Sequence, residues 1–144
     1  DNMLVKKEIE VRYQETDQMG IVYHANYLVW FDLGRTEFLK QLGYSVADLE
    51  KENLLFAVRK ISVEYLKACR FGETIVVETS VKDFSPLITT YKHTIINTNG
   101  EIKAKGESTV ICIDKSTFRI LRLDRSHPLI YGIYHKLFTQ NQKS

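Results

Sequence analysis

Apolar and polar residues alternate with a period of two along most of the second half of the chain. This pattern predicts antiparallel strands that bury one face. A similar alternation opens the chain, where Val5, Ile9 and Val11 stand among charged residues. The predicted strands are Leu4–Tyr13, a strand from Leu54 to Leu66, Thr74–Val81, Ile88–Thr98, Glu101–Asp114 and Phe118–Leu123. The pair Asn99-Gly100 predicts a type I′ hairpin turn between the fourth and fifth of these.

A second pattern, apolar on nearly every side, begins at Asn26 and continues to about Leu42. It predicts one long helix that is buried on most of its surface. Asn26 is the predicted N-cap, and Gly43 follows the C-terminal end. Gly34 lies inside the helix, where glycine costs about 1 kcal/mol relative to alanine, so we expect it to permit a close backbone approach. Shorter helices are predicted at Ser45–Glu50 and Leu129–Phe138.

The order of these elements predicts an α+β protein in which a curved antiparallel sheet wraps around one central helix. The length of 144 residues fits a single domain, which we place at residues 3–138. Asp1 and Asn2 precede Met3 and look like a remnant of cloning. Residues 139–144 form a polar tail that we expect to fray. Because one sheet leaves much apolar surface, we expect the sheet to continue into a second subunit.

Composition and charge exclude several classes of protein. Apolar residues make up 44% and charged residues 26%, as in ordinary globular proteins. The net charge of +2 and the lack of a basic run argue against nucleic-acid binding. No apolar stretch approaches the length of a membrane span. Cys69 and Cys112 lack metal-binding spacing, so we interpret them as buried thiols in a reducing cytoplasm.

The segment from Tyr13 to Gly43 carries the most specific signal. It reads YQETDQMGIVYHANYLVWFDLGRTEFLKQLG. This segment resembles the signature of the 4-hydroxybenzoyl-CoA thioesterase family of hotdog-fold acyl-CoA thioesterases, especially its Tol-Pal-associated bacterial branch. The residues on the family pattern are Asp17, Gly20, Val22, Tyr23, His24, Asn26, Tyr27, Arg35 and Glu37. The resemblance implies a hotdog fold over almost the whole chain, and an active site between two subunits of a homodimer that pairs into a homotetramer.

The resemblance also implies a catalytic role for Asp17. A carboxylate can attack the thioester carbonyl to form a mixed anhydride, or it can deprotonate a water. From the residues alone, a loop aspartate is more often a turn or capping residue. In the family, the backbone amide matching His24 stabilises the oxyanion at the positively polarised start of the helix. Gly20 would let the loop bring Asp17 near that amide.

Other residues receive weaker interpretations. The His24 side chain could orient water, protonate the leaving thiolate, or only pack locally. Tyr23, Asn26 and Tyr65 are expected around the substrate. Arg35 and Glu37 are interpreted as structural, either as a solvent-facing pair or as an interface contact. No role is assigned to the remaining histidines, His93, His127 and His135.

The phosphates of CoA require basic partners, and the candidates are Arg59, Lys67 and Arg70. Solvated surface charge is an equally open interpretation of each. Some relatives carry a basic cluster where this chain reads SPLITT at residues 85–90. Phosphate recognition is therefore expected to be weak or to lie elsewhere.

The expected function is hydrolysis of a small or medium acyl-CoA to a carboxylic acid and CoA, in the cytoplasm. No metal and no redox cofactor are expected, since CoA is part of the substrate. An acyl carrier protein could present the same thioester. A non-catalytic acyl-thioester binder or scaffold is the alternative of another class. A hotdog dehydratase or hydratase would need a histidine and an acid in other motifs, which this sequence lacks.

Overall fold

The computed structural model describes residues 3–143, with side chains described as far as Thr139. The strands and helices, in chain order, are β1 (Val5–Glu10), α1 (Asn26–Gln41), α2 (Val46–Lys51), β2 (Leu54–Tyr65), β3 (Thr74–Phe84), β4 (Ile88–Asn97), β5 (Ile102–Asp114), α3 (Leu123–Ser126) and α4 (Pro128–Lys143). The interpretations of Asp1, Asn2 and Ser144 concern residues outside the described range.

All five strands join one antiparallel sheet in the order β1-β3-β4-β5-β2. Helix α1 packs against β1, β3 and β4. The predicted α+β architecture, a curved sheet around one long helix, is therefore confirmed. Strands β1 and β2 form the two edges.

Helix α1 buries one face rather than nearly its whole surface. Tyr27, Trp30, Phe31 and Phe38 recur at helical spacing and are at most 3% exposed. In contrast, Val29 is 49% exposed and Leu33 is 38% exposed in the single chain. The prediction of a helix buried on most sides therefore holds for only one face of α1.

Gly34 lies where α1 approaches β3 most closely. A Cβ atom built on Gly34 would stand 2.3 Å from Thr79 Oγ1 and 3.1 Å from Val77 Cγ1. No methyl group fits in this space unless β3 or its side chains move. The predicted close approach is confirmed, and it explains a glycine inside an otherwise well-formed helix.

We predict that Gly34→Ala destabilises the protein. Overpacking costs about 1–3 kcal/mol, and the gain in helix propensity offsets only about 1 kcal/mol of it. Gly132→Ala in α4 is the matched control, because nothing lies within 4 Å of its added Cβ. The Gly132→Ala substitution should leave the free energy of unfolding unchanged or raise it. Urea unfolding measures both, and equal effects of the two substitutions would contradict the packing argument.

His93 lies at the centre of the sheet, beneath α1. Its Nδ1 is 2.9 Å from Thr79 Oγ1, and its Nε2 is 2.7 Å from Ser108 Oγ. The ring stacks on Phe31 with a centroid distance of 4.4 Å. Burial, and secondarily the charge of Arg35, lowers the pKa of His93 to about 3. The imidazole is therefore neutral in the folded protein. Its two hydrogen bonds connect β4 to β3 and to β5.

The lowered pKa of His93 predicts a loss of stability in acid. The unfolded chain binds a proton below about pH 6.5 while the folded protein does not, so the free energy of unfolding falls as the pH drops from 6.5 towards 3. At pH 5 the free energy of unfolding is about 2 kcal/mol lower because of this residue. The free energy of unfolding of His93→Gln should depend less on pH than that of the wild type. Substitution of the exposed His135 by Gln should leave this pH dependence unchanged. Protonation of His93 near pH 6.5 in an NMR titration would contradict this prediction.

The β4–β5 hairpin is present, but the predicted type I′ turn is wrong. Gly100 has φ 79°, while Asn99 is not among the non-glycine residues with positive φ. The amide of Gly100 donates to Asn97 O at 3.1 Å, and the amide of Asn97 donates to Glu101 O at 3.0 Å. A type I′ turn needs positive φ at both central residues. The chain instead uses a longer loop with one left-handed glycine.

The strand predicted at Phe118–Leu123 is also wrong. Only the bridge between Ile113 and Ile120 forms there, and Phe118 adopts φ 58°, which turns the backbone. Ile88 of β4 pairs opposite Ile111, so β5 offers only its last residues as a free edge. The chain then enters α3 at Leu123.

The C-terminal helix is longer than predicted. It begins at Pro128 and continues to Lys143, beyond the predicted end at Phe138. No proline or glycine interrupts the helix after Gly132, so the predicted helix end is too early, while the expected fraying of residues 139–144 stays a prediction. Tyr134 of α4 hydrogen-bonds to Tyr91 of β4 at 2.9 Å, which ties the helix to the sheet.

Candidate active site

The start of α1 lies beside a cavity of about 280 Å³, which we call the loop cavity. Its walls are Ile21, Val22 and His24 from the preceding loop, Tyr27 of α1, and residues 65–68 at the end of β2. A helix start of this kind presents unpaired backbone amides that carry partial positive charge.

The Asp17 loop is a tight turn next to this cavity. Asp17 N–H donates to Ile21 O at 2.8 Å, and Gly20 N–H donates to Asp17 O at 3.0 Å. Gly20 has φ 80°, a conformation that glycine adopts without strain. The half-buried Asp17 side chain accepts the Met19 amide on Oδ1 at 2.8 Å. Its Oδ2 accepts no protein hydrogen bond within residues 3–143, so one carboxylate oxygen stays free.

The turn interpretation of Asp17 is confirmed, and its catalytic role stays a prediction. One oxygen makes the turn contact typical of loop aspartates, and the other is available for chemistry. The side chain itself does not line the loop cavity in the single chain. The Asp17 backbone, through its N–H, is hydrogen-bonded to Ile21 in the cavity wall.

Glu15 fastens the loop to α1. Its buried carboxylate, 5% exposed, accepts the indole N–H of Trp30 at 3.0 Å and the amide of Arg12 at 2.9 Å. Its backbone carbonyl accepts the side-chain amide of Asn26 at 2.8 Å and the Tyr23 amide at 2.9 Å. Both ends of the Asp17 loop are thus held by one residue.

The first residues of α1 are not capped by a side chain. The N-cap is Ala25, and Asn26 uses its side chain on Glu15 instead, so the predicted N-cap role of Asn26 is wrong. Among the described residues, the amides of His24 and Ala25 donate to no protein acceptor. Two adjacent free N–H groups of this kind can stabilise a developing oxyanion.

Aromatic side chains gather at the mouth of the loop cavity. The exposed rings of Tyr23 and His24 lie 4.4 Å apart, and His24 and Tyr65 lie 6.4 Å apart. Tyr65 donates its hydroxyl to His24 O at 3.0 Å. The His24 ring makes no hydrogen bond to any part of the chain that the structure describes, so its proposed auxiliary role stays a prediction.

The three basic candidates lie in different surroundings. Lys67 lines the loop cavity and pairs with Glu101. Arg70 is exposed and forms a β-bridge with Ile21, beside the Asp17 loop. Arg59 occupies the bulge of β2, about 20 Å along the strand from Tyr65. One chain therefore brings Lys67 and Arg70, but not Arg59, close to the loop cavity.

Arg35 is not the solvent-facing residue that the sequence suggested. It is 8% exposed and donates from Nη2 to Asp32 Oδ1 at 3.0 Å. Its Nη1 is buried and has no acceptor within residues 3–143. Glu37 pairs with Lys7 instead, at 3.9 Å. Arg35 also lines a second cavity, of about 370 Å³, between α1, α2 and β2.

The buried thiols and phenol near the site are structural. Burial raises the pKa of Cys69 and of Tyr27, so both remain protonated at neutral pH. Cys69 also accepts the Val22 amide on its backbone carbonyl at 2.8 Å. Burial raises the pKa of Cys112 to about 12. The prediction that both cysteines are free and buried is confirmed.

Glu15 and Trp30 were not identified from the sequence as functional residues. A usable signal was present, because the only tryptophan of the chain lies in the apolar helix and its indole N–H needs a buried acceptor. An acid two residues before Asp17 is the natural candidate for that acceptor.

No three histidine, cysteine or acidic side chains among residues 3–143 are grouped so that they could hold a metal ion. No helix in the same range has the length and apolar character needed to cross a membrane.

A single helix enclosed by a curved antiparallel sheet, with an acid-bearing loop at the helix start, defines the hotdog class of thioesterases. The model of the thioesterase-like superfamily matches residues 11–129. The chain belongs to this superfamily, and the family predicted from the Tyr13–Gly43 segment is confirmed. It is a thioesterase-family enzyme.

Several known proteins are similar along nearly the full chain. YneP of Bacillus subtilis, whose name describes it provisionally as an acyl-CoA thioesterase, is 47% identical over 91% of this chain and 95% of its own. The acyl-CoA thioester hydrolase YbgC of Escherichia coli is 28% identical over 85% of this chain and 92% of its own. The crystal structure of DHNA-CoA thioesterase from Staphylococcus aureus superposes with a TM-score of 0.94, at 38% identity, over 97% of this chain and 94% of that chain.

We predict that Glu15→Ala lowers the free energy of unfolding by about 1–3 kcal/mol, because it leaves the buried indole N–H of Trp30 without an acceptor. Glu10→Ala, at an exposed position, is the matched control and should change stability by less than about 0.5 kcal/mol.

A double-mutant cycle with Trp30→Phe isolates this contact. Denaturant unfolding should show a coupling of about 1 kcal/mol between the two positions. Additive effects of Glu15→Ala and Trp30→Phe would show that the hydrogen bond contributes nothing to stability.

Proposed function

We propose that the protein hydrolyses the thioester of a small or medium acyl-CoA to a carboxylic acid and CoA. The observation that carries this proposal is the free Asp17 oxygen on a loop that is fastened beside two unpaired amides. YbgC and YneP, which carry acyl-CoA thioesterase names, support CoA as the thiol. An acyl carrier protein presents the same thioester chemistry and is the alternative donor.

In the proposed reaction, the thioester carbonyl lies against the amides of His24 and Ala25. Asp17 either attacks the carbonyl carbon or removes a proton from a water that attacks it. Negative charge on the carbonyl oxygen is stabilised by the two amides, and CoA leaves as a thiolate. The His24 ring, at the cavity mouth, is placed to orient water or to protonate the thiolate. In the direct-attack route, water then hydrolyses the mixed anhydride, which releases the carboxylic acid and restores the Asp17 carboxylate. Both routes therefore need only the thioester and water.

The proposed acyl group includes aromatic rings as well as short aliphatic chains. Tyr65 and the buried Tyr27 line the loop cavity, and the exposed ring of Tyr23 lies against His24 of its wall. The similar S. aureus structure is named a DHNA-CoA thioesterase, which supports testing an aromatic thioester. Lys67, which lines the cavity, and Arg70, which is bridged to Ile21 in its wall, are the proposed partners of the CoA phosphates.

We also propose a homodimer, itself paired into a tetramer, in which the second subunit completes the site. The outer edge of β2 has no partner strand within residues 3–143, and Val58 on it is 47% exposed. Val29 and Leu33 add exposed apolar surface on α1. An unpaired edge and an apolar helix face together suit pairing with a second copy. Two buried free thiols suit the cytoplasm, where we place the protein.

The competing function is a non-catalytic acyl-thioester binder. Such a protein has no need of a carboxylate with a free oxygen at the site. The structure therefore favours the enzyme, and loss of the carboxylate separates the two functions.

We predict that Asp17→Asn lowers thioester hydrolysis by about 100-fold or more. A panel of acyl-CoAs with different chain lengths and one aromatic thioester is assayed by thiol release. Asp83→Asn, an exposed residue of β3, is the charge-matched control and should keep wild-type turnover. Sedimentation should show the same mass for all three proteins. Unchanged turnover in Asp17→Asn would overturn the mechanism, and an inactive wild type would favour the binder.

A further inference from the structure

Tyr65 lines the loop cavity, and its hydroxyl is directed at the protein backbone. It donates to the carbonyl oxygen of His24 across a distance of 3.0 Å. Among the described residues, the one other donor to this oxygen is the amide of Tyr27, at the longer distance of 3.3 Å. Tyr65 comes from the end of β2, 41 residues further along the chain. A strand of the sheet thus contacts the backbone at the helix start.

The accepting carbonyl and a free amide belong to the same peptide group. The C=O of His24 and the N–H of Ala25 lie in one plane and point in opposite directions. A hydrogen bond that fixes the oxygen therefore also fixes the direction of the N–H. Because hydrogen bonds polarise one another, a donor on the carbonyl strengthens the N–H as a donor. The Ala25 amide is one of the two that have no acceptor in the described chain.

Tyr65 is well supported in this position. Its backbone pairs with Ala104 of β5, so the strand holds its main chain. Its ring packs edge-on against Tyr27, with centroids 5.0 Å apart. Tyr65 is 47% exposed, and His24, which supplies the carbonyl, also lines the loop cavity. No side chain caps α1, so the Tyr65 hydroxyl is the side-chain group that fixes this peptide.

We propose that Tyr65 is a positioning residue that orients and polarises the His24–Ala25 peptide group, so that the Ala25 amide serves as an oxyanion donor in thioester hydrolysis. This inference rests on the proposed function. Tyr65 is not a general acid, because its proton is directed at the His24 oxygen and away from the reacting atoms. Its contribution appears when negative charge develops on the thioester carbonyl, and hardly at all when the substrate binds.

The test is Tyr65→Phe, which removes the hydroxyl and keeps the ring. We expect kcat to fall about 10-fold, less than the 100-fold or greater loss of a direct oxyanion donor, while KM stays within about twofold. The Ala25 amide proton should move upfield in the NMR spectrum, because the peptide group loses its donor. Tyr131→Phe in α4, which removes a phenol remote from the cavity, is the matched control and should change neither kcat nor the Ala25 shift.

Several results would overturn the proposal. Wild-type kcat in Tyr65→Phe, or an unmoved Ala25 amide, would show that the hydrogen bond has no effect on the site. A lower kcat together with a higher KM and a lower Tm would show that Tyr65 only stabilises the fold. Asp17→Asn separates this inference from the function on which it rests. If the wild type hydrolyses thioesters, Asp17→Asn does not, and Tyr65→Phe behaves as wild type, only the positioning role fails.

Discussion

The buried carboxylate of Glu15 is the contact on which the geometry of the candidate site depends. A carboxylate that is 5% exposed is costly to bury unless it is hydrogen-bonded, and here Trp30 and Arg12 supply the donors. The indole of Trp30 is in turn held inside α1, whose position is set by the sheet. The loop that carries Asp17 is thereby fixed to a rigid helix rather than only to its neighbours in the sequence.

The position of α1 depends on the absence of a side chain at Gly34. With a Cβ atom there, the helix would have to move away from Thr79, and Thr79 is one end of the buried network through His93 to Ser108. Displacement of α1 would also carry away Trp30 and the two free amides. Core packing and site geometry therefore both depend on the position of α1, because this helix fills the core and presents its start to the loop cavity.

Periodicity identified most of the fold because most elements follow a single pattern. Four strands from Leu54 to Asp114 and the long helix from Asn26 were predictable, since the sheet buries alternate residues and α1 buries a helical stripe. The strand expected at Phe118–Leu123 was apolar enough, but no free stretch of β5 was left to pair with it. Pairing partners depend on the whole sheet, and a local pattern carries no information about them.

The site was predictable to a lesser extent. Asp17, Gly20 and His24 were identified through a family resemblance, and the structure brings their loop to the start of α1. The contacts that hold this arrangement could not be predicted, because they join residues that are distant in the sequence. Asn26 illustrates the difference: its type and place suggested an N-cap, yet its side chain reaches back to Glu15. Only the folded chain shows that the backbone carbonyl of Glu15 is within reach of the Asn26 side chain.

An uncapped helix start is unfavourable for stability, and this fold tolerates it at the point where it is chemically useful. Serine, threonine, asparagine or aspartate at the N-cap would accept the amide of Tyr27 or Leu28 and typically stabilise the helix by about 1 kcal/mol. Ala25 stands there instead, while α2 has a complete cap at Ser45 in the same chain. The Glu15 and Asn26 contacts fix the helix start instead, and backbone carbonyls of Tyr23, His24 and Ala25 accept the first three helical amides. The amides of His24 and Ala25 come earlier in the chain and have no acceptor in the described residues, so the helix start is anchored while the proposed oxyanion donors stay free.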